Sequence, residues 1–162
     1  MDEWYYYIPS NPQLNPFGAA IAESSHSEGW NTIALGKGSH AEGFGAKAIG
    51  ERSHAEGSNT RAIGLAAHAE GGHSGAVIKD NGELNLDPET WAEGNYSHAE
   101  GMSTRAKGNS SHSEGYSTKA IGDSSHAEGA GTEAQGKYSH SGGLRTKTLG
   151  EWSFAHGTDL KA

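Results

Sequence analysis

The sequence predicts an all-β fold: a parallel β-solenoid of 14-residue coils, with two short strands in each coil. Three observations predict it. Histidine recurs at a fixed spacing over most of the chain, small residues alternate with large or charged ones, and glycine occupies the fifth position of most seven-residue halves of the repeat. The first observation is typical of a repeat architecture, and the second has the two-residue period of a β-strand.

The histidines define the repeat and show where it is interrupted. They recur in two evenly spaced series, at positions 26, 40, 54 and 68 and then at 98, 112, 126 and 140. The step from His68 to His98 is longer than one repeat, and the excess equals the length of the segment 74–89. We therefore predict a repeat domain over residues 24–157 that is interrupted by an insertion at residues 74–89.

Each repeat divides into two halves of seven residues. One half reads S-H-A-E-G, as in Ser53–Gly57, and the other reads T-x-A-I-G, as in Thr60–Gly64. The small first, third and fifth residues are expected to point into a coil too narrow for larger side chains. A helix would need apolar residues three or four apart, and glycine would cost it about 1 kcal/mol at each occurrence. Glycine at the fifth position is expected to let the chain turn or another backbone approach.

Three segments lie outside the repeat. Residues 1–23 are rich in aromatic residues and proline; they are expected to cap the first coil, or to attach the chain to another component through residues 1–16. In the insertion, two apolar runs flank Asn81 and Gly82, which predicts a β-hairpin. The hairpin is expected either to clamp a neighbouring chain or to bind a receptor through these two turn residues. Residues 158–162 form a C-terminal tail.

Composition excludes several classes of function. The net charge of −8 argues against nucleic acid as a partner, since phosphate binding needs clustered Lys and Arg. The absence of Cys excludes disulfides and thiolate metal sites. No apolar stretch is long enough for membrane insertion, and the start Met-Asp-Glu-Trp lacks a secretory signal pattern. We therefore expect either a mature fragment or a chain delivered without a signal.

Only 33% of the chain is hydrophobic, and an interior of Ser, Thr, Ala and Gly buries little apolar surface. At about 25 cal/mol per Å² such an interior stabilises a single chain weakly. Coils of this kind gain stability from stacking and from partners, so we expect the chain to oligomerise.

The alternation S-x-A-x-G over about residues 24–157 resembles the head repeat of the YadA-type trimeric autotransporter adhesins. Its S-H-A-E-G form is similar to repeats in phage tail-fibre and appendage proteins and in bacterial surface proteins. The resemblance implies a left-handed parallel β-roll, a homotrimer around a threefold axis, and display or adhesion at a cell surface or on a virion. It also implies a host-surface glycan or protein as partner, and another fibre or baseplate component as the partner that residues 1–16 would attach to. Where the adhesin heads carry Val and Ile, this chain carries His and Glu.

The His-Glu strands are expected to face the trimer axis, because they vary little from coil to coil. There a His of one chain would bond a Glu of another, which would lower the pKa of the paired glutamates and raise the pKa of the histidines. The alternative interface is the stripe of Ile and Leu on the T-x-A-I-G strands. The predicted axis-facing residues are His26, Glu28, His40, Glu42, His54, Glu56, His98, Glu100, His112, Glu114, His126 and Glu128.

Other uses of the repeats remain open. The recurring histidines could hold a transition metal, with His40, His54, His98, His112 and His126 as candidates. Because the same pair recurs along the whole chain, we expect a structural role, with no catalytic residue and no cofactor. Aromatic residues at the corners, Trp30, Phe44 and Tyr116, could contact a receptor or a neighbouring protomer. The recurring threonines suggest ice binding, but in the predicted register they face inward.

Overall fold

A computed structural model describes residues 18–72, 77–78, 84–85 and 89–162. The predicted attachment segment at residues 1–16 and the turn residues Asn81 and Gly82 lie outside the described residues. The described part is all-β and contains no helix. It forms a parallel β-solenoid of about nine turns, in which two nine-stranded sheets run side by side.

The first sheet, called here the Thr sheet, contains the T-x-A strands. Its members are β1 (Ala19–Ala20), β3 (Ile33–Ala34), β5 (Lys47–Ala48), β7 (Thr60–Ala62), β11 (Thr90–Ala92), β13 (Arg105–Ala106), β15 (Lys119–Ala120), β17 (Glu133–Ala134) and β19 (Lys147–Thr148). The second, called here the His-Glu sheet, contains the S-H-A-E-G strands. Its members are β2 (His26–Trp30), β4 (His40–Phe44), β6 (His54–Ser58), β8 (His68–Gly71), β12 (His98–Met102), β14 (His112–Tyr116), β16 (His126–Ala127), β18 (His140–Leu144) and β20 (Phe154–Thr158).

Equivalent residues of successive turns pair directly. His26 is opposite His40 and Glu28 is opposite Glu42, and the same register holds in the Thr sheet, where Lys47 is opposite Arg61. Because the register repeats, each side chain lies above the same side chain of the preceding turn. The repeated sequence therefore becomes columns of like residues along the solenoid.

The interior is built from small side chains, as predicted. Alternate residues of both sheets point inward, so that Ala, Ser and Thr are fully buried; the recurring threonines Thr32, Thr60, Thr104, Thr118, Thr132 and Thr146 are at most 1% exposed. This burial excludes an ice-binding surface made of those threonines. Several buried serines donate their hydroxyl to a glycine carbonyl three residues earlier, for example Ser111 to Gly108 at 2.6 Å.

The glycines at the fifth position are needed for two reasons. In both sheets a Cβ would collide with the next turn: it would lie 2.3 Å from the carbonyl oxygen of Gly115 at Gly101, and 2.1 Å from that of Gly122 at Gly108, which follows the Thr-sheet strand β13. In the His-Glu sheet Gly101 also has φ +97°, a conformation that L-residues with a side chain rarely adopt. The predicted close approach is thus between backbones of successive turns.

The insertion forms a separate two-stranded unit. β9 (Val77–Ile78) pairs antiparallel with β10 (Leu84–Asn85), as the hairpin interpretation predicts. The solenoid continues across the insertion without a change of register, since β7 pairs with β11 and β8 pairs with β12.

Deleting residues 74–89 is therefore expected to leave a folded solenoid. The deletion restores the regular step between histidines and removes two contacts of Glu89, to Arg61 and to the indole of Trp91, at a cost of about 1 kcal/mol each or less. Circular dichroism melting should show strand content retained and a melting temperature lowered by a few degrees.

Deleting residues 73–89 provides the matched control. That variant makes one coil a single residue too short, and a slip of one residue turns inward-facing side chains outward. It should lose cooperative unfolding. If both deletions unfold the chain alike, the hairpin is an essential clamp.

Candidate functional site

The outward-facing residues of the His-Glu sheet form two adjacent columns, called here the His-Glu ladder. From His40 to His126 the imidazole rings stack with centroids 4.8–4.9 Å apart and interplanar angles of 2–7°. The spacing is that of neighbouring strands in a sheet, so the rings stack because equivalent residues of successive turns are in register. The ladder consists of His26, Glu28, His40, Glu42, His54, Glu56, His68, Glu70, His98, Glu100, His112, Glu114, His126, Glu128 and His140.

The stacked side chains are half-buried. From His40 and Glu42 onward, the side chains of the ladder keep 32–37% of their surface exposed, because neighbours above and below cover the rest. The first coil is more open, since His26 keeps 65% and Glu28 keeps 58%. The ladder is thus a nearly continuous half-buried surface on a single chain.

Four histidines bond a glutamate of the preceding coil. His126 Nε2 lies 3.1 Å from Glu114 Oε1, and His54 Nε2 lies 3.3 Å from Glu42 Oε1. The other two pairs are His68 with Glu56 at 3.2 Å and His140 with Glu128 at 3.1 Å. The partner expected from a second chain is therefore supplied by the same chain, one coil earlier.

Three histidines have looser contacts. His40 Nε2 is 3.8 Å from Glu28, His98 Nε2 is 3.6 Å from Glu70, and His112 Nε2 is 4.0 Å from Glu100. These three nitrogens are shielded from solvent and have no hydrogen-bond partner. The ladder therefore contains both closed His-Glu pairs and open ones.

The glutamates differ in their electrostatics although their sequence context is the same. A hydrogen bond with Glu100, burial, and a hydrogen bond with Glu56 together raise the pKa of Glu70 to about 7. Hydrogen bonds from Glu70 and Glu114 hold the pKa of Glu100 below its ordinary value. Burial raises the pKa of Glu56, but hydrogen bonds with Glu70 and His68 outweigh it and the net shift is downward. A proton on Glu70, between the carboxylates of Glu56 and Glu100, accounts for the raised pKa of Glu70 and for its part in lowering the pKa of the other two.

The pKa of the histidines was expected to be raised, and this expectation is wrong at His98. Burial, followed by the neighbouring His68 and His112, lowers the pKa of His98 below its ordinary value. A stack of closely spaced imidazoles disfavours positive charge on adjacent rings, and this repulsion opposes the upward shift expected from the glutamates. The expected downward shift does hold at Glu128, where the hydrogen bond with His140 lowers the pKa.

The other candidate contact residues lie at the surface. Trp30, Phe44 and Tyr116 are exposed at the corner that follows the His-Glu strands. The alternative interface is also accessible, since Leu35, Ile49 and Leu149 are exposed on the Thr sheet. Asn81 and Gly82 lie outside the described residues.

Trp91 is a feature that the repeat pattern did not predict. It occupies the column of Arg61 and Arg105, whose guanidinium groups lie 5.0 Å and 4.3 Å from its ring centroid. Its indole donates to Glu89, which also pairs with Arg61 at 2.6 Å. The only signal in the sequence was an aromatic residue at a position otherwise occupied mainly by cations. These contacts fasten the end of the insertion to the Thr sheet.

Chemically, the ladder offers a row of imidazole and carboxylate groups that share one sequence context but differ in their pKa shifts. Such a row can hold protons or cations. Comparisons of the chain with protein-family models and with curated proteins found no match. The described residues also contain no helix that could cross a bilayer.

Proposed function

We propose that the chain is a non-enzymatic structural and adhesive module: a homotrimeric, left-handed parallel β-roll of a phage tail fibre or bacterial surface fibre. It acts as a rigid spacer or as a host-surface binding head, outside the cell or on the virion. One observation carries the proposal. In the described part of the chain the largest fully buried side chains are threonines, while the large apolar side chains lie at the surface.

The exposed apolar residues follow the columns of the solenoid. They occupy both corners, the Thr sheet and, at Phe154, the last strand of the His-Glu sheet: Ile21, Trp30, Leu35, Phe44, Ile49, Tyr96, Tyr116, Tyr138, Leu144, Leu149, Trp152, Phe154 and Leu160. Exposed apolar surface of this extent marks interaction sites in soluble proteins. Since the narrow interior cannot take these side chains, only another chain or a bound partner can cover them.

The His-Glu ladder is the proposed axis-facing surface. In each of its four closed pairs a glutamate already has a histidine partner inside one chain, so a second chain can cover these four pairs without leaving their glutamates unpaired. The flat stack of rings, continuous from His40 to His126, suits contact with two identical ladders around an axis.

The expected mass in solution is about three times the 16.9 kDa of one chain. Multi-angle light scattering during size-exclusion chromatography measures it, and a stable, monodisperse monomer would contradict the proposal. The interface is tested with His54→Ala and Lys47→Ala. The first leaves Glu42 buried without its partner, at a cost on the order of 3–5 kcal/mol, whereas the second removes a charge from the other sheet. Equal and small effects of both, with a flat pH profile of stability, would mean that the ladder faces solvent and that the Ile and Leu stripe of the Thr sheet forms the interface.

Adhesion is the second part of the proposal and rests on the aromatic corner. Planar aromatic side chains are suitable for stacking against sugar rings, and Trp30 and Phe44 project one above the other on successive turns. A glycan array should be probed with the native chain and with the double variant Trp30→Ala, Phe44→Ala. Binding that the variant loses identifies a binding head, whereas no binding by the native chain leaves a spacer.

A further inference from the structure

We propose that the His-Glu ladder binds divalent transition-metal ions such as Zn²⁺ or Cu²⁺ between successive coils of one chain. Each ion would be bound by a histidine, the glutamate of the preceding coil, and the histidine of that same preceding coil. The sites differ from a ring of histidines on a threefold axis, because all three ligands come from one chain. The proposal therefore does not depend on the number of chains in the assembly.

The ligand spacing supports this assignment. In each group the three ligand atoms lie within 4.8 Å of one another; the groups include His26-Glu28-His40, His40-Glu42-His54, His54-Glu56-His68, His68-Glu70-His98 and His98-Glu100-His112. Two ligands of a tetrahedral zinc are separated by about 3.4 Å, given bonds of about 2.0–2.2 Å. The His54–Glu42 and His126–Glu114 pairs, at 3.3 Å and 3.1 Å, are already close to that separation. The third ligand needs only a tilt of one ring toward its neighbour.

The unpartnered ring nitrogens are an independent observation that points to a ligand. Nε2 of His40, His98 and His112 is shielded from solvent and makes no hydrogen bond. Each faces a carboxylate oxygen that lies 3.6–4.0 Å away, beyond hydrogen-bond distance. A cation placed between nitrogen and oxygen would satisfy both atoms, which a proton at that separation does not.

The charge of the ladder also favours cations. Seven glutamates line one strip, and no Lys or Arg occupies the outward positions of the described His-Glu strands. With neutral histidines the strip is strongly acidic. A bound dication offsets that charge. Two dications in adjacent gaps would repel strongly at about 4.8 Å. We therefore expect every second of the seven gaps between His26 and His140 to fill, with about three or four ions per chain.

The test uses the whole chain after dialysis against a chelator. Equilibrium dialysis with Zn²⁺, followed by elemental analysis, counts the bound ions. The chain is measured as purified and again after refolding with Zn²⁺ present, so that an assembled trimer cannot hide the ladder. About three or four ions per chain are expected in at least one preparation. Absence of tight Zn²⁺ binding in both preparations would overturn the proposal. Light scattering on the same samples shows separately whether the chain is a trimer.

Matched triple variants locate the ions. His40→Gln, His68→Gln and His112→Gln together remove a ring from all gaps except that between His126 and His140, so the count should fall to about one. Glutamine can still bond the neighbouring glutamate. Lys47→Gln, Arg105→Gln and Lys119→Gln, on the Thr sheet, should leave the count unchanged. Equal counts in both triple variants would overturn the assignment.

A spectroscopic measurement on the native chain remains decisive if the histidine variant fails to fold. Cu²⁺ bound by two imidazoles shows nitrogen hyperfine couplings from both rings in its electron paramagnetic resonance spectrum. We expect that pattern, and a spectrum without imidazole coupling would overturn the proposal.

Discussion

Gly108→Ala is expected to destabilise the solenoid strongly, although it adds only one methyl group. The added Cβ would lie 2.1 Å from the carbonyl oxygen and 2.4 Å from the carbonyl carbon of Gly122, and 2.7 Å from the nitrogen of Asp123. All three are backbone atoms of the next turn, so no side chain can move aside. The turns must separate locally, which weakens the hydrogen bond from Lys107 N to Ala120 O and its neighbours.

The expected cost is about 3 kcal/mol, the upper end for forced overpacking, and the melting temperature should fall by about 6–12 °C. Gly131→Asn is the matched control. Gly131 has φ +64°, and a Cβ there would meet nothing nearer than Arg145 Cγ at 3.6 Å. Asparagine tolerates that conformation and occupies the equivalent corner at positions 31 and 59. The control should change stability by less than about 0.5 kcal/mol. Similar losses from both variants would show that the turns are not packed this closely.

The fold was predictable because every coil repeats the same constraint. Alternation of small and large residues indicates strands, and a coil with only Ala, Ser, Thr and Gly on one side of each strand must be narrow. That inference placed Thr60 and Ala62 inside and His54 and Glu56 outside, as the structure does. The insertion was predictable because the histidine phase resumes after it.

Features that depend on how one coil contacts the next were harder to predict from the sequence. A repeat shows that His and Glu lie in adjacent columns, but not that His54 reaches the glutamate of the coil before its own. It also cannot distinguish Glu70 from Glu42, since both occur in H-A-E-G. Several corners place bulky residues at positive φ, including Arg52, Tyr96 and Trp152. The identity of these residues does not predict a positive φ, because the corner of the coil imposes that conformation.

A second large effect is expected from Glu70→Gln, and its sign should depend on pH. The pKa of Glu70 is raised from 4.5 to about 7, so the folded chain favours the neutral carboxyl. The stability from that group is complete below the unfolded pKa of about 4.5 and is lost as pH rises through about 7. Glutamine mimics the neutral carboxyl at every pH. The variant should therefore melt about 2–4 °C above the native chain at pH 8 and level with it at pH 4.

Glu128→Gln is the control with the opposite sign. The hydrogen bond with His140 lowers the pKa of Glu128, so its stability is present above the unfolded pKa of about 4.5 and is lost as pH falls through the folded pKa. This variant should melt below the native chain at pH 8, and the difference should shrink at pH 4. The lowered pKa of His98 weakens the fold below about pH 6.5 in all three chains, so it cancels in the comparison. Melting curves followed by circular dichroism at the two pH values measure both differences. If the two glutamine variants shift in the same direction at pH 8, Glu70 does not hold the shared proton, and the carboxylates of the ladder are equivalent in solution.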